Sequence, residues 1–285
     1  MEVYNWLYEY LILNFTLSLV YAQSKLLFTT QHASIKEFDI QTRQVTVLYE
    51  LGTTVYSIDY HYKNKQVYFP RYFNNDIMTF RYPAHSIELH YIVSTGSKPA
   101  GLAIDSIRNH IYWTENVLSN GRIVRCDLDG SNVKVIAQSL DYPFVIRLDA
   151  INSWMYVVER SSKIYRQRLG SSKQEKIETV FMNTSCMDID MENERAYWIV
   201  DLTGNLNSGM ANETDVKTVI NTNCKSPTCT NNAINIFGKN VYFSNHNQLA
   251  VGLTSQGSGF TVLYNDTNRI DSIYSYILGK IITYV

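Results

Sequence analysis

The chain has 285 residues, enough for one large β domain or two ordinary ones, and 22 of them are tyrosine. Its 25 Lys and Arg balance 26 Asp and Glu to a formal net charge of −1. No basic field therefore exists to gather phosphates, which excludes nucleic acid as a partner, and nothing in the composition suggests disorder.

The first element in chain order is an apolar run, Leu11 to Ala22, ending Val20-Tyr21-Ala22 before Gln23. It is too short to span a bilayer, and its small terminal residue suits signal-peptide cleavage. Residues 1–22 read as a signal peptide, although Glu2 and Glu9 stand where Lys or Arg is usual, and 23–285 as a single domain. No later run reaches the ~18 apolar residues of a membrane span.

Beyond the leader the chain repeats. An aromatic strand recurs as "VYF" at Val67, "IYW" at Ile111, "MYV" at Met155, "AYW" at Ala196 and "VYF" at Val241, with degenerate copies "LLF" at Leu26 and "ITY" at Ile282. The central positions Leu27, Tyr68, Tyr112, Tyr156, Tyr197, Tyr242 and Tyr284 are 41, 44, 44, 41, 45 and 42 residues apart. A period of ~40–45 residues marks propeller blades of four strands.

The other strands fall in fixed order around the aromatic one. An apolar strand with a polar end precedes it at Val55–Asp59, Gly101–Asp105, Val145–Asp149, Met187–Asp190, Ala233–Asn235 and Asp271–Tyr276. Third strands start near Ser34, Ile77, Arg122, Lys163, Asn205 and Gln248, and fourth strands read "VTVL", "LHYIV", "VKVIA", "KIETV", "VKTVI" and "FTVL". Each is short, β-branched or aromatic, and bounded by turn formers. The census predicts an all-β, six-bladed β-propeller of four-stranded antiparallel blades. The N-terminal strands, residues 25–50, complete the blade begun at Asp271–Tyr276, because closure removes exposed sheet edges. Ile281–Val285 is then a surplus strand.

The stretch "PAGLAID" (from Pro99), "IYWTE" (from Ile111) and "GRIVRCDLDG" (from Gly121) resembles the class B, or YWTD, repeat of the low-density lipoprotein receptor-related family. The motif positions are Asp105, Tyr112, Trp113, Thr114, Arg125, Asp129 and Gly130, with Tyr156, Tyr197 and Trp198 in later units. Glu115 replaces the signature's Asp and Val157 its Trp, and "YFPR" and "YFSN" replace it in the first and last units. The unit "IYRQRLGSS" keeps Ile164 and Arg166 but lacks the Asp-Gly turn. The resemblance implies an extracellular, non-enzymatic propeller that binds a protein ligand: a matrix protein, a Wnt-pathway factor or a lipoprotein carrier. The alternative function is a six-bladed calcium-dependent esterase or lactonase.

These motif residues have structural roles of their own. Tyr and Trp fill the wedge between blades while their polar atoms find backbone partners. Asp129-Gly130 suits a tight turn between third and fourth strands. Asp59, Asp105, Asp149, Asp190, Asn235 and Asp271 all read as caps on the turn from first to second strand. Calcium needs ~6–8 oxygens converging within ~2.6 Å, which caps on separate blades need not supply. No metal or cofactor is expected.

No Gly-x-Ser-x-Gly or His-Glu-x-x-His motif occurs, so no catalytic residue is assigned. His61 and His110 read as solvated turn residues, and His246 could face a ligand. Cys224 and Cys229 enclose a short loop and suit a disulfide, with Cys186–Cys229 as the second pairing. Asn183, Asn212 and Asn265 open glycosylation sequons. These features point to a secreted or extracellular protein, a monomer, or the ectodomain piece of a receptor.

Recognition is expected on the face that collects the fourth-to-first and second-to-third loops, since loops vary freely on a rigid ring. Arg71, Tyr72 and Phe73 join types enriched at hot spots. Glu115, Glu159, Arg160, Asp201 and His246 occupy the equivalent place after each aromatic strand. The competing reading is that Tyr72 and Phe73 cover the neighbouring blade.

Overall fold

The computed structural model describes residues 24–31, 34–159, 163–170, 174–177, 184–210, 214–226 and 228–277. The signal peptide, Arg160, Asn183, Asn212 and the surplus strand Ile281–Val285 lie outside them. Every described element is a β-strand, and the 24 strands form six four-stranded antiparallel sheets. The architecture is a six-bladed propeller.

The N-terminal strands β1 (Ser24–Thr30), β2 (Ser34–Asp39) and β3 (Val45–Glu50) belong to the sheet of the last strand, β24 (Ile270–Ile277). Their register runs from Ser24↔Ile277 to Thr30↔Ile270, so ring closure is made where the repeat census placed it. We number this blade VI. Blade I holds β4 (Asp59–His61), β5 (Gln66–Arg71), β6 (Asp76–Arg81) and β7 (His90–Ser94). Blade II holds β8 (Pro99–Asp105), β9 (His110–Glu115), β10 (Gly121–Asp127) and β11 (Lys134–Leu140). Blade III holds β12 (Pro143–Asp149), β13 (Trp154–Glu159), β14 (Lys163–Arg168) and β15 (Gln174–Ile177). Blade IV holds β16 (Thr184–Asp190), β17 (Arg195–Val200), β18 (Asn205–Met210) and β19 (Lys217–Asn221). Blade V holds β20 (Ile234–Phe237), β21 (Asn240–Asn245), β22 (Gln248–Leu253) and β23 (Phe260–Asn265).

The core is six wedges, one between each pair of neighbouring blades. Adjacent side chains on a strand point to opposite faces, and the aromatic strands use this to fill two wedges at once. Trp113 packs into the wedge between blades I and II while Tyr112 enters that between II and III. Trp198 and Tyr197 divide in the same way around blade IV, as do Phe243 and Tyr242 around blade V and Phe28 and Leu27 around blade VI. The degenerate "LLF" is thus a full member of the pattern. The polar atoms are less uniform than expected. The Tyr60 hydroxyl donates to the Tyr82 carbonyl at 2.7 Å, but Tyr68 donates to the Gln66 side chain and the buried Trp113 indole N–H has no partner among the described residues.

The six polar residues read as one set of turn caps separate into three levels. Asp105, Asp149 and Asp190 do cap: each Oδ1 accepts the N–H three residues on, at 3.0, 3.0 and 3.1 Å. Asp59 and Asn235 instead lie opposite the central tyrosines Tyr68 and Tyr242, two residues earlier in register. Asp271 sits at the other end of its strand. In blade I the cap position is His61, opposite Gln66 as Asp105 is opposite His110, and its Nδ1 accepts the Asn64 N–H at 3.2 Å. His61 is therefore fully buried rather than solvated, and burial lowers its pKa. His110 is partly covered, and burial, then Arg125, lowers its pKa.

Strand β4 is shorter than the predicted Val55–Asp59 and begins at that segment's last residue. The Ile58 N–H donates to the Ser272 hydroxyl of blade VI at 3.1 Å, and the Ser57 hydroxyl donates to the Leu102 carbonyl of blade II at 3.1 Å. Neighbouring blades thus engage polar groups of a segment that does not pair with β5.

Candidate functional site

The first strands touch one another around the ring and form its inner wall. Six residues occupy one register level on that wall, each opposite the centre of a second strand: Asp59, Ala103, Arg147, Asp188, Asn235 and Tyr274. They tie blade to blade. Asp59 Oδ2 accepts the Ile104 N–H of blade II at 2.7 Å, and Asp188 Oδ2 accepts the Ile236 N–H of blade V at 2.7 Å. Asn235 Oδ1 accepts the Ser275 N–H of blade VI at 2.9 Å, and Arg147 Nε donates to Asp188 Oδ1 at 3.0 Å. Burial pushes the Asp59 carboxyl up to about 6, against the opposing pull of two backbone donors, and it also raises Asp188.

One end of the channel collects the fourth-to-first and second-to-third loops, and backbone bonds join the two kinds within a blade. Tyr72 donates to Thr54 at 3.0 Å, Asn116 to Lys98 at 3.0 Å, and His246 to Thr230 at 3.0 Å. The Cys224–Cys229 disulfide, with 5.1 Å between Cα atoms, fastens the loop entering blade V. The alternative pairing of Cys186 with Cys229 is overturned: Cys126 and Cys186 are free and buried.

A shallow depression opens at this end, lined by Tyr56, Gly101, Phe144, Arg147, Asn232 and Asp271 among others. Aromatic rings form an arc along one side. Phe73 meets Tyr72 at 5.0 Å between centroids, Tyr72 meets Tyr56 at 5.2 Å, and Tyr56 meets Phe144 at 5.1 Å. The last contact joins blades I and III past blade II. Gly101 permits this, because a Cβ there would lie 2.6 Å from the Phe144 carbonyl oxygen and 2.9 Å from the Ile146 nitrogen. Across the mouth, the buried Asp271 accepts Arg269 Nε at 2.7 Å and Asn232 Nδ2 at 2.8 Å, both on Oδ1. Its Oδ2 has no partner among the described residues.

The residues singled out in the sequence are distributed unevenly over this face. Arg71 is clamped by Asp76, with Nε to Oδ1 at 2.8 Å. Tyr72 donates from its hydroxyl to Asn116 Oδ1 at 3.2 Å, and Phe73 is 68% exposed. Glu115 is buried, accepting the Gly96 N–H at 2.8 Å and Arg122 Nε at 2.7 Å. Glu159 is also buried and accepts the Asp141 N–H at 2.9 Å. The Asp201 carbonyl takes the Ser226 N–H at 2.9 Å, and His246 is exposed in the loop of blade V. Only Tyr72 and Phe73 join the arc. Tyr56, Phe144 and Asn232 carry no motif in the sequence, and Asp271, expected to cap a turn, lies at the mouth instead; all four lie just before or at the start of first strands. Their signal was positional: the stretch preceding or opening a first strand borders the channel mouth.

Thr114 and Asp129 hold the motif together. Thr114 Oγ1 accepts the Gly101 N–H at 2.9 Å, and Asp129 Oδ1 accepts the Ser131 N–H at 2.9 Å beside Gly130 at φ +87°. Among the described residues, no three His, Cys, Asp or Glu side chains group as metal ligands, and no helix is long and apolar enough to cross a membrane.

No protein-family model matches the chain. Protein cueball of Drosophila ananassae is 34% identical over 65 residues, 22% of this chain and 10% of that protein. Cueball of Anopheles gambiae is 29% identical over 116 residues, 39% of this chain and 16% of that protein. Mouse nidogen-2 is 35% identical over 91 residues, 32% of this chain and 6% of that protein. The matched stretches are thus a small part of each of these longer relatives. Among solved structures, a chain of a nidogen/laminin complex superposes with a TM-score of 0.74 at 16% identity, covering 88% of this chain and 98% of that one. TolB of Acinetobacter baumannii superposes with a TM-score of 0.69 at 11% identity, covering 90% of this chain and 67% of that one. Over nearly its whole length the chain has the fold of the nidogen-type, class B propeller, with the sequence likeness to nidogen-2 and cueball confined to part of it.

Proposed function

We propose that this chain is an extracellular, non-enzymatic propeller that binds a matrix protein at the loop-bearing mouth of its channel. The observation that carries the reading is the arc Phe73–Tyr72–Tyr56–Phe144, rings 5.0–5.2 Å apart, beside a depression walled by Asn232 and Asp271. Aromatic anchors around a polar pocket are the usual composition of a binding hot spot. Among the partners the family resemblance implies, the nidogen/laminin complex favours a matrix protein. The Cys224–Cys229 disulfide suits the oxidising compartment that this reading requires. No observation favours the esterase alternative.

The test is binding of the secreted full chain to immobilised laminin, with Tyr56→Ala and Phe73→Ala as probes. Loss of one anchor is expected to cost ~2 kcal/mol, roughly thirtyfold in Kd. Phe73→Ala should leave the melting temperature within ~2 °C, since its ring is largely exposed. No laminin binding, or binding indifferent to both substitutions, overturns the proposal.

A further inference from the structure

The opposite end of the channel carries a second surface that the mouth does not use. There the turn of blade III between β12 and β13 presents Ile151, 72% exposed, and the matching turn of blade II presents Ile107, 41% exposed. Arginines join the two turns. Arg108 of blade II reaches across to blade III, donating from Nη2 to Ser153 Oγ at 2.7 Å and from Nη1 to the Ala150 carbonyl at 3.4 Å. Arg168, at the end of β14, donates from Nη1 to the Asn152 carbonyl at 2.9 Å, and its Cζ lies over the Trp154 ring, 4.0 Å from the centroid. An apolar knob is thus gripped on both sides by guanidinium groups bonded to its own turn.

The charges are unequally matched. Arg108 meets Asp105, itself buried, at 3.0 Å. Among the described residues Arg168 has no acidic partner, and the Asn152 carbonyl takes one of its N–H groups. A guanidinium stacked on Trp keeps its planar fork oriented at little entropic cost, which suits bidentate capture of a carboxylate. An exposed isoleucine beside arginine and tryptophan combines types enriched at hot spots with apolar area to bury. The neighbouring turn of blade IV is acidic, with Glu192 and Glu194 exposed, so the basic strip ends there.

We propose that this end of the propeller is a docking surface for an acidic protein segment carrying an apolar side chain next to a carboxylate, with Arg168 taking the carboxylate, Ile151 the apolar group, and Arg108, held by Asp105, fixing the turn that presents them. The surface is independent of the mouth and of whichever ligand the mouth takes.

The experiment uses the full chain and fluorescein-labelled peptides: a short Glu–Leu repeat, its Gln–Leu analogue and its Lys–Leu analogue, read by fluorescence anisotropy. The Glu–Leu peptide is expected to bind at least about tenfold more tightly than either analogue, and less tightly at high salt. Arg168→Glu and Ile151→Asp should each weaken it about tenfold or more, whereas Phe73→Ala at the mouth should not. Arg168→Lys keeps the charge but loses the stacked fork, and should weaken binding by less than Arg168→Glu. Ile151 is exposed, so its variant should melt within ~2 °C of the parent chain. Absence of binding, equal binding of the Glu and Gln peptides, or indifference to both Arg168→Glu and Ile151→Asp overturns the proposal.

Discussion

Replacing Asp188 by alanine probes the inner wall most directly. Asp188 is only 8% exposed and accepts three donors: Arg147 Nε at 3.0 Å, the Ile236 N–H at 2.7 Å and Asn235 Nδ2 at 3.1 Å. Alanine strands the Ile236 amide, at ~1–3 kcal/mol, and leaves Arg147 without its countercharge. Removing one partner of a buried ion pair costs ~3–5 kcal/mol. The Arg147 side chain retains 24% exposure, and burial already raises the Asp188 carboxyl. Both facts move the total to the lower end, about 3–4 kcal/mol. At ~2–4 °C per kcal/mol, Asp188→Ala should melt roughly 6–16 °C below the parent chain by calorimetry at neutral pH. Arg147→Met removes the stranded charge, so Asp188→Ala combined with Arg147→Met should cost less than the sum of the two single changes. A single variant melting within ~2 °C of the parent, or strict additivity in the pair, refutes the idea that this level of the wall locks the blades together.

Two further outcomes follow from particular residues. The Asp59 pKa is raised from 3.8 to about 6, so the folded state holds its proton more tightly than the unfolded chain. That contribution is fully present below about pH 4 and is lost as pH rises through 6. The melting-temperature difference between Asp59→Asn and the parent should therefore shift in the variant's favour between pH 4 and 7, by up to ~3 kcal/mol equivalent; a pH-independent difference contradicts it. Gly130 has φ +87°, and a Cβ there would lie 2.2 Å from the Ile92 carbonyl oxygen. Gly130→Ala should cost ~2 kcal/mol or more in urea denaturation, whereas an unchanged midpoint would show that the turn relaxes freely.

Much of the architecture was legible in the sequence because it depends on local periodicity. A tyrosine beside a tryptophan on a short strand must face opposite ways, and two opposite faces of one blade can be buried only against two neighbours. The repeat spacing therefore contained the wedges, as Trp113 and Tyr112 demonstrate on either side of blade II. Even closure by β24 followed from counting strands. Register did not follow. Asp59 and Asp105 look alike as the polar ends of apolar strands, yet one takes an N–H from the next blade and the other caps its own turn. Two residues of register separate them, and only the paired strand fixes that offset. The aromatic arc at the mouth and the arginine bridge at the other end were hidden for a related reason. Tyr56 meets Phe144, and Arg108 meets Ser153, across blade boundaries 45 or more residues apart in the chain. Sequence determines which residues each blade turns outward; the rotation from one blade to the next decides which of them meet.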